Sequence, residues 1–298
     1  MLIKNYKLYI KKFIKRGLIM KVELPEIPVN YKDDLHNLEY LNEADLILFM
    51  AGNQFMVMEE LLEAFQKAYP EIKKIFYETL PPGLELKQIL AGGARFGNME
   101  IKVIPDIYTA VSESAMQELG KKGLVKDYFI YLHNRIVLMV PKGNPAGIKN
   151  VTDLAQENIR ISQPGPLEDI TRYIVEMYKK AGGEELVHRI MEEKRAEGTT
   201  IFTLVHHRET PLRIVKRTVD VGPVWATEVI HAQNQGLPVE MVDPGEELDQ
   251  RDKVNYYITA LTNAPHPENA KKFLEFIKSS EAQKIYAKYG FVPHFPFS

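Results

Sequence analysis

Residues 44–68 read ADLILFMAGNQFMVMEELLEAFQKA, and this stretch decides the fold. Ala44–Met50 is a continuous apolar run, the pattern of a strand buried on both faces of a parallel sheet. From Phe55 to Ala68 apolar residues recur at helical spacing, and Pro70 closes the pattern. A strand that feeds a helix through the short polar turn Gly52–Asn53–Gln54 is the opening half of a βαβ unit.

Outward from there the alternation continues. Lys74–Glu78 reads as a second strand, Pro81–Pro82–Gly83 as a turn, Leu84–Ala91 as a short helix, Ile104–Val111 as a third strand and Ser114–Lys121 as its helix. His133–Pro141 reads as one strong strand, followed by a Gly- and Pro-rich loop, a helical turn at Val151–Ala155 and a strand at Ile159–Ser162. Leu167–Lys180 is an amphipathic helix closed by Gly182–Gly183, and Glu184–Arg195 a further helix. Val219–Trp225 and Val254–Leu261 are strands again, and helices Pro267–Lys278 and Ser280–Tyr289 end the chain. The predicted class is α/β, with two Rossmann-like lobes of doubly wound parallel sheet joined by two crossing strands. The expected division is a basic tail and irregular arm over 1–44, a first lobe of 45–138 with 250–298, and a second lobe of 139–249. Two crossings permit a hinge about a cleft.

Composition narrows the function. The 298 residues carry a net charge of −2, without the basic excess of a nucleic-acid binder. There is no cysteine, which removes disulfides, thiol catalysis and thiolate metal sites. No run is long and apolar enough for a membrane span. Residues 1–20, MLIKNYKLYIKKFIKRGLIM, hold six Lys/Arg and no acid. Lysines interrupt each apolar stretch, so no export signal is visible and the chain as given reads as cytoplasmic. A start placed ahead of Met20, a basic helix on a membrane surface and an unrecognised targeting segment stay open. G-x-S-x-G, H-E-x-x-H and P-loop motifs are absent. The expectation is a binding protein, not an enzyme, with no cofactor and no metal.

Four turns feed a helix from a strand end: Gly52–Asn53–Gln54, Pro82–Gly83, Gly165–Pro166 and Trp225–Ala226–Thr227. Unpaired N–H groups and the helix dipole make such ends attractive to anions. Singly, each is also ordinary punctuation; jointly they outline a cleft. Arg172, His206, His207 and Arg208 are candidate charge partners, although a surface salt bridge (Arg172) and a solvated loop (the basic trio) explain them as well. Asp106 and Asp153 read as capping and turn residues. The terminal aromatics Tyr286, Tyr289, Phe291, Phe295 and Phe297 read as packing.

Several segments resemble the molybdate-binding proteins of ABC importers: ILFMAGNQFMVMEELLEAF (47–65), PPGLELKQILAGG (81–93), IPDIYTAVSESAMQEL (104–119) and VGPVWATEV (221–229). The most specific is NRIVLMVPKGNPAGIKNVTDLAQENIRIS (134–162); VNYYITAL and the two last helices follow suit. The resemblance spans roughly 46–292 and implies a type II periplasmic-binding-protein fold. It implies a ligand of the molybdate, tungstate or sulfate class, a permease partner, a monomer and a periplasmic or extracytoplasmic location. A cytoplasmic sensor on the same fold, or a binder of another solute, remains the alternative. The implied ligand residues are Asn53, Gln54, Pro82, Gly83, Gly165, Pro166, Trp225 and Thr227. Asn53 and Pro82 stand where the family has Ser, and Trp225 where it has Tyr. Asn53 and the Trp225 indole retain a donor, whereas Pro82 has neither hydroxyl nor N–H.

Overall fold

The computed structural model describes residues 23–297, apart from Leu167, Val205 and the side chains of His206 and His207. The basic stretch over 1–20 therefore lies outside the described residues. The first lobe is built on a sheet of β1 (Leu35–His36), β2 (Leu46–Phe49), β3 (Ile75–Glu78), β6 (Ile107–Ala110), β7 (Phe129–His133), β13 (Asn255–Ala260) and β14 (Val292–Pro293), in the order β1-β3-β2-β6-β13-β7-β14. A hairpin of β4 (Ala94–Phe96) and β5 (Met99–Ile101) stands beside it. The centre, β3-β2-β6, is parallel as the apolar runs require. β13 returns antiparallel between β6 and β7, so the sheet is mixed and the fully parallel expectation is corrected.

The second lobe holds β8 (Ile136–Pro141), flanked antiparallel by β11 (Gly222–Trp225) and β12 (Val239–Val242). A parallel pair, β9 (Ile161–Gln163) and β10 (Thr200–Phe202), joins through a bridge from Ile161 to Val221. The stretch read as one strand, His133–Pro141, is two. β7 ends at His133 in the first sheet and β8 begins at Ile136 in the second, so the chain changes lobes at Asn134–Arg135. It returns through residues 243–254 into β13. Arg135 and Asp243 form an ion pair that clips the two crossings together.

Helices cover the sheets: α1 (Met58–Ala68), α2 (Pro82–Ala91), α3 (Glu113–Lys121), α4 (Asp169–His188), α5 (His206–Val215), α6 (Ala226–Asn234), α7 (Pro267–Ile277) and α8 (Ser280–Lys288). α1 shows why: Met58, Leu61, Leu62 and Phe65 share one face and all are buried, each contributing about 1.5–3 kcal/mol. α4 breaks at Gly182–Gly183, where Gly183 takes φ 71°, as the paired glycines predict. α5 was not legible as a helix because Pro211 interrupts its pattern.

The arm also differs from expectation. Val29–Asp34 forms a 3-10 helix and β1 pairs antiparallel with β3, Leu35 facing Glu78 and His36 facing Tyr77. Near Pro25–Ile27 the backbone bonds Arg95 of β4, at 2.8 and 2.7 Å. Ile27, Tyr31 and Leu35 are buried in the first lobe's core, so the arm is an ordered part of that lobe's wall.

Candidate ligand-binding site

The carboxyl ends of β2, β3, β6 and β11 and the start of α4 converge on one cavity of about 350 Å³. Gly52 and Asn53, Pro81–Leu84, Val111, Glu168–Ile170 and Trp225 line it, together with Glu26, Pro28 and Tyr31 of the arm. This is where an α/β sheet offers a ligand crevice. Gly52 is required there: a Cβ would lie 2.9 Å from the Thr79 carbonyl oxygen, so only glycine lets the first turn approach the second. A Cβ on Gly83 would meet nothing within 4 Å, so this residue faces open space.

The candidate ligand residues separate into two groups. Asn53, Pro82, Gly83 and Trp225 lie on the cavity wall. Gln54, Thr227, Gly165 and Pro166 are placed elsewhere. Gln54 is fully buried, its amide donating to Thr109 Oγ1 at 3.2 Å and accepting from Tyr131 Oη at 2.8 Å and Tyr286 Oη at 3.2 Å. Thr227 is buried and accepts from Asn134 Nδ2. Gly165 is a packing glycine, since a Cβ would come within 2.9 Å of the Thr203 carbonyl, and Pro166 is exposed. Asn53 itself is largely committed: its amide donates to the Tyr256 hydroxyl, which also accepts from Asn134 Nδ2 at 3.2 Å. The chain Asn53–Tyr256–Asn134–Thr227 thus runs across the change of lobes.

The charge partners separate likewise. Arg172 turns away, donating to the Val111 carbonyl at 2.9 Å and the Tyr173 hydroxyl at 2.7 Å beside a second, open cavity. Arg208 bonds Asp33 and Asp34 of the arm. Arg208 lies in the first turn of α5, not in a loop, and the side chains of His206 and His207 lie outside the described residues. Asp106 accepts from the Ile47 and His266 backbone at 2.8 and 2.6 Å, and Asp153 completes a capping box with Asn150. Tyr286 and Phe291 pack edge-on in the core.

The two walls differ electrostatically. Behind the α2 start, Asp34, Glu78 and Glu85 are fully buried. Burial pushes the Glu78 carboxyl up to about 8 despite the Gln88 amide bonding it, and raises Glu85 well above the usual range. Burial thus disfavours the charged form of both, which leaves the positive end of α2 less compensated. Lys87 of α2 is on the same wall. Opposite, Glu168 and Asp169 stand at the start of α4, and Glu26 adds a third carboxylate from the arm. Trp225 is 2% exposed, with the Tyr173 ring edge-on at 6.0 Å.

A family profile described as bacterial extracellular solute-binding protein matches residues 46–292. The chain belongs to this family. Its members are solute-binding proteins and not enzymes, in agreement with the missing catalytic motifs. YvgL of Bacillus subtilis, a protein named as an ABC transporter substrate-binding lipoprotein, is 25% identical over 194 residues, 62% of this chain and 66% of that one. The chain therefore matches just under two thirds of that relative's length. Among solved structures, the sulfate-binding protein SubI of Mycobacterium tuberculosis shares 20% identity with a TM-score of 0.68, covering 84% of this chain and 86% of the other. The periplasmic molybdate-binding protein of Azotobacter vinelandii shares 16% identity with a TM-score of 0.65, covering 83% and 98%. These likenesses establish the two-lobed fold. The family profile begins at residue 46, after the arm that lines the cavity. That contribution was missed from sequence because two-residue β1 carries no alternation to read. No helix among the described residues is long and apolar enough to cross a membrane.

Proposed function

We propose that this chain is the solute-binding component of an ABC importer, working as a monomer outside the membrane and delivering its ligand to a permease. The observation that carries this is one cavity shared by helix-feeding turns of both lobes. The lobes would divide at Asn134–Arg135, where the chain changes sheet a few residues before the 138/139 boundary expected from sequence, with the return over 243–254 bringing the chain back to the first lobe. Binding would favour a closed form, which the permease reads.

The ligand we propose is a small organic solute with two unlike ends. Its anionic or acceptor end would face Gly83, Lys87 and the start of α2; its donor end would face Glu168 and Asp169. The cavity volume lies at the low end of the ~300–1,000 Å³ range of small-molecule sites. A bare oxyanion of the molybdate, tungstate or sulfate type is the second reading, favoured by the names of the structural relatives. Among the described residues the lining carries both signs of charge, Lys87 with Glu26, Glu168 and Asp169, which suits a solute with two unlike ends better than a bare dianion.

A thermal-shift screen separates the two. The panel holds molybdate, tungstate, sulfate, zwitterionic amino acids and small hydroxy acids. The first reading expects stabilisation by a zwitterionic or bifunctional solute and none by the tetrahedral dianions. Stabilisation by molybdate or sulfate alone would replace it with the second.

A further inference from the structure

We infer that the N-terminal arm, residues 25–36, is a third wall of the ligand site and a releasable catch that fastens the second lobe over it. This deepens the proposed solute-binding role of the same cleft. The arm lies outside residues 46–292 that carry the family likeness.

The arm is held in two different ways. To the first lobe it is fixed by backbone at both ends. Ile27 N donates to the Arg95 carbonyl and Arg95 N donates to the Pro25 carbonyl, while β1 pairs with β3. Asn37 adds a side-chain bond to the Ile75 carbonyl at 2.8 Å. The segment between these anchors reaches the second lobe through side chains. Tyr31 Oη donates to the Leu204 carbonyl at 3.3 Å. Arg208 of α5 donates to Asp34 Oδ1 at 2.5 Å and Asp33 Oδ2 at 3.1 Å. Tyr31 and Leu204 both line the ligand cavity, so the contact between arm and second lobe closes the cavity's edge. Paired backbone stays when lobes move; one tyrosine bond and one guanidinium fork can break and reform.

The fork is built around a buried group. The Asp34 side chain is fully buried, whereas Arg208 is 27% and Asp33 62% exposed. Thr79 Oγ1 also donates to Asp34 Oδ1 at 3.2 Å. Burial pushes the Asp34 carboxyl up to about 6, against the pull of Arg208. Arg208, Asp33, Tyr31 and Glu85 act on it or are acted on by it, with His36 beyond Thr79 and Glu209 beyond Tyr31. Burial lowers His36 to about 4, so it stays neutral across the range in which Asp34 titrates. Below pH 6 Asp34 is neutral, the fork loses its buried charge and the catch weakens.

The test needs no transported ligand. Trp225, the sole tryptophan, sits on the cavity wall, and acrylamide serves as a small neutral probe of access to it. In Arg208→Ala, acrylamide quenching of Trp225 should rise about twofold or more. Amide exchange over residues 29–34 should quicken, with 25–27 and 35–36 unchanged. Asp34→Asn should behave alike, and Tyr31→Phe should give a smaller change in the same direction if Arg208→Ala fails to fold. In the unaltered chain, quenching should rise as pH falls through about 6, and Arg208→Ala should abolish that step. Unchanged quenching and exchange in Asp34→Asn and Tyr31→Phe would overturn the catch. Such a failure leaves the solute-binding reading standing, and a solute panel without a binder would leave the catch standing.

Discussion

The two lobes meet at several points, and two of these junctions are made of different chemistry. On the hinge side the chain crosses at Asn134–Arg135 and returns into β13. Neutral amides and hydroxyls tie that junction: Asn53 and Asn134 to the Tyr256 hydroxyl, and Asn134 to Thr227, all buried. On the arm side the chain does not cross between the lobes among the described residues, and the ties there are one tyrosine bond and the Arg208 fork on a buried carboxyl. Neutral buried bonds are costly to leave unmade and indifferent to pH, which suits a permanent pivot. A charged pair responds to pH and breaks without unravelling secondary structure, which suits a closing edge. Buried carboxyls cluster on the same side, since Glu78 and Asp34 both act on Glu85 behind the α2 start.

The largest effect should come from the pivot. Tyr256→Phe removes the acceptor of both asparagines and leaves two buried donors short of partners, at a cost of about 1–3 kcal/mol. Thermal unfolding should show a lowered Tm at every pH between 5 and 8. An unchanged Tm would erase the distinction between the two junctions.

Next is the pH dependence of stability, which should come from the arm side. Folded Glu78 holds its proton to about pH 8, whereas the unfolded chain releases it near 4.5. The folded state therefore binds more protons between those values. Its contribution is full below 4.5 and declines as pH rises to about 8. Subtracting the Tm profile of Glu78→Gln from that of the unaltered chain should isolate this decline. A flat difference would mean that Glu78 ionises normally.

Smallest in stability is the cavity wall itself. Gly83→Leu points a side chain into open space on a helix position, so Tm should move by no more than roughly 0.5 kcal/mol equivalent. Binding of any solute found by the screen should nonetheless fall tenfold or more, measured by calorimetry.

Much of this was legible in the sequence for a physical reason. β2 and α1 bury apolar residues with clean periods, so ADLILFM and the helix after it could be read directly. Asn53, Gly83 and Trp225 follow, because turns at strand ends must meet at a sheet's carboxyl edge. Other features leave no periodic trace. β7 and β8 abut with only Asn134–Arg135 between them, so a change of sheet looked like one strand. The β4–β5 hairpin announces itself in sequence only by its Gly97–Asn98 turn. The arm is polar and short in each element, and its importance lies in contacts 173–175 residues away in sequence. Gln54 and Thr227 sat at the expected turns yet point into the core, a side-chain direction that spacing does not encode.

Everything above turns on the cleft walled by Gly83, Trp225 and the arm holding a small solute. A titration of Trp225 fluorescence with the solute panel, run beside Gly83→Leu, tests it most directly. At least one bifunctional solute should give a saturable change in the unaltered chain, lost in Gly83→Leu at equal Tm. An equal response in both proteins would place the ligand elsewhere and contradict it.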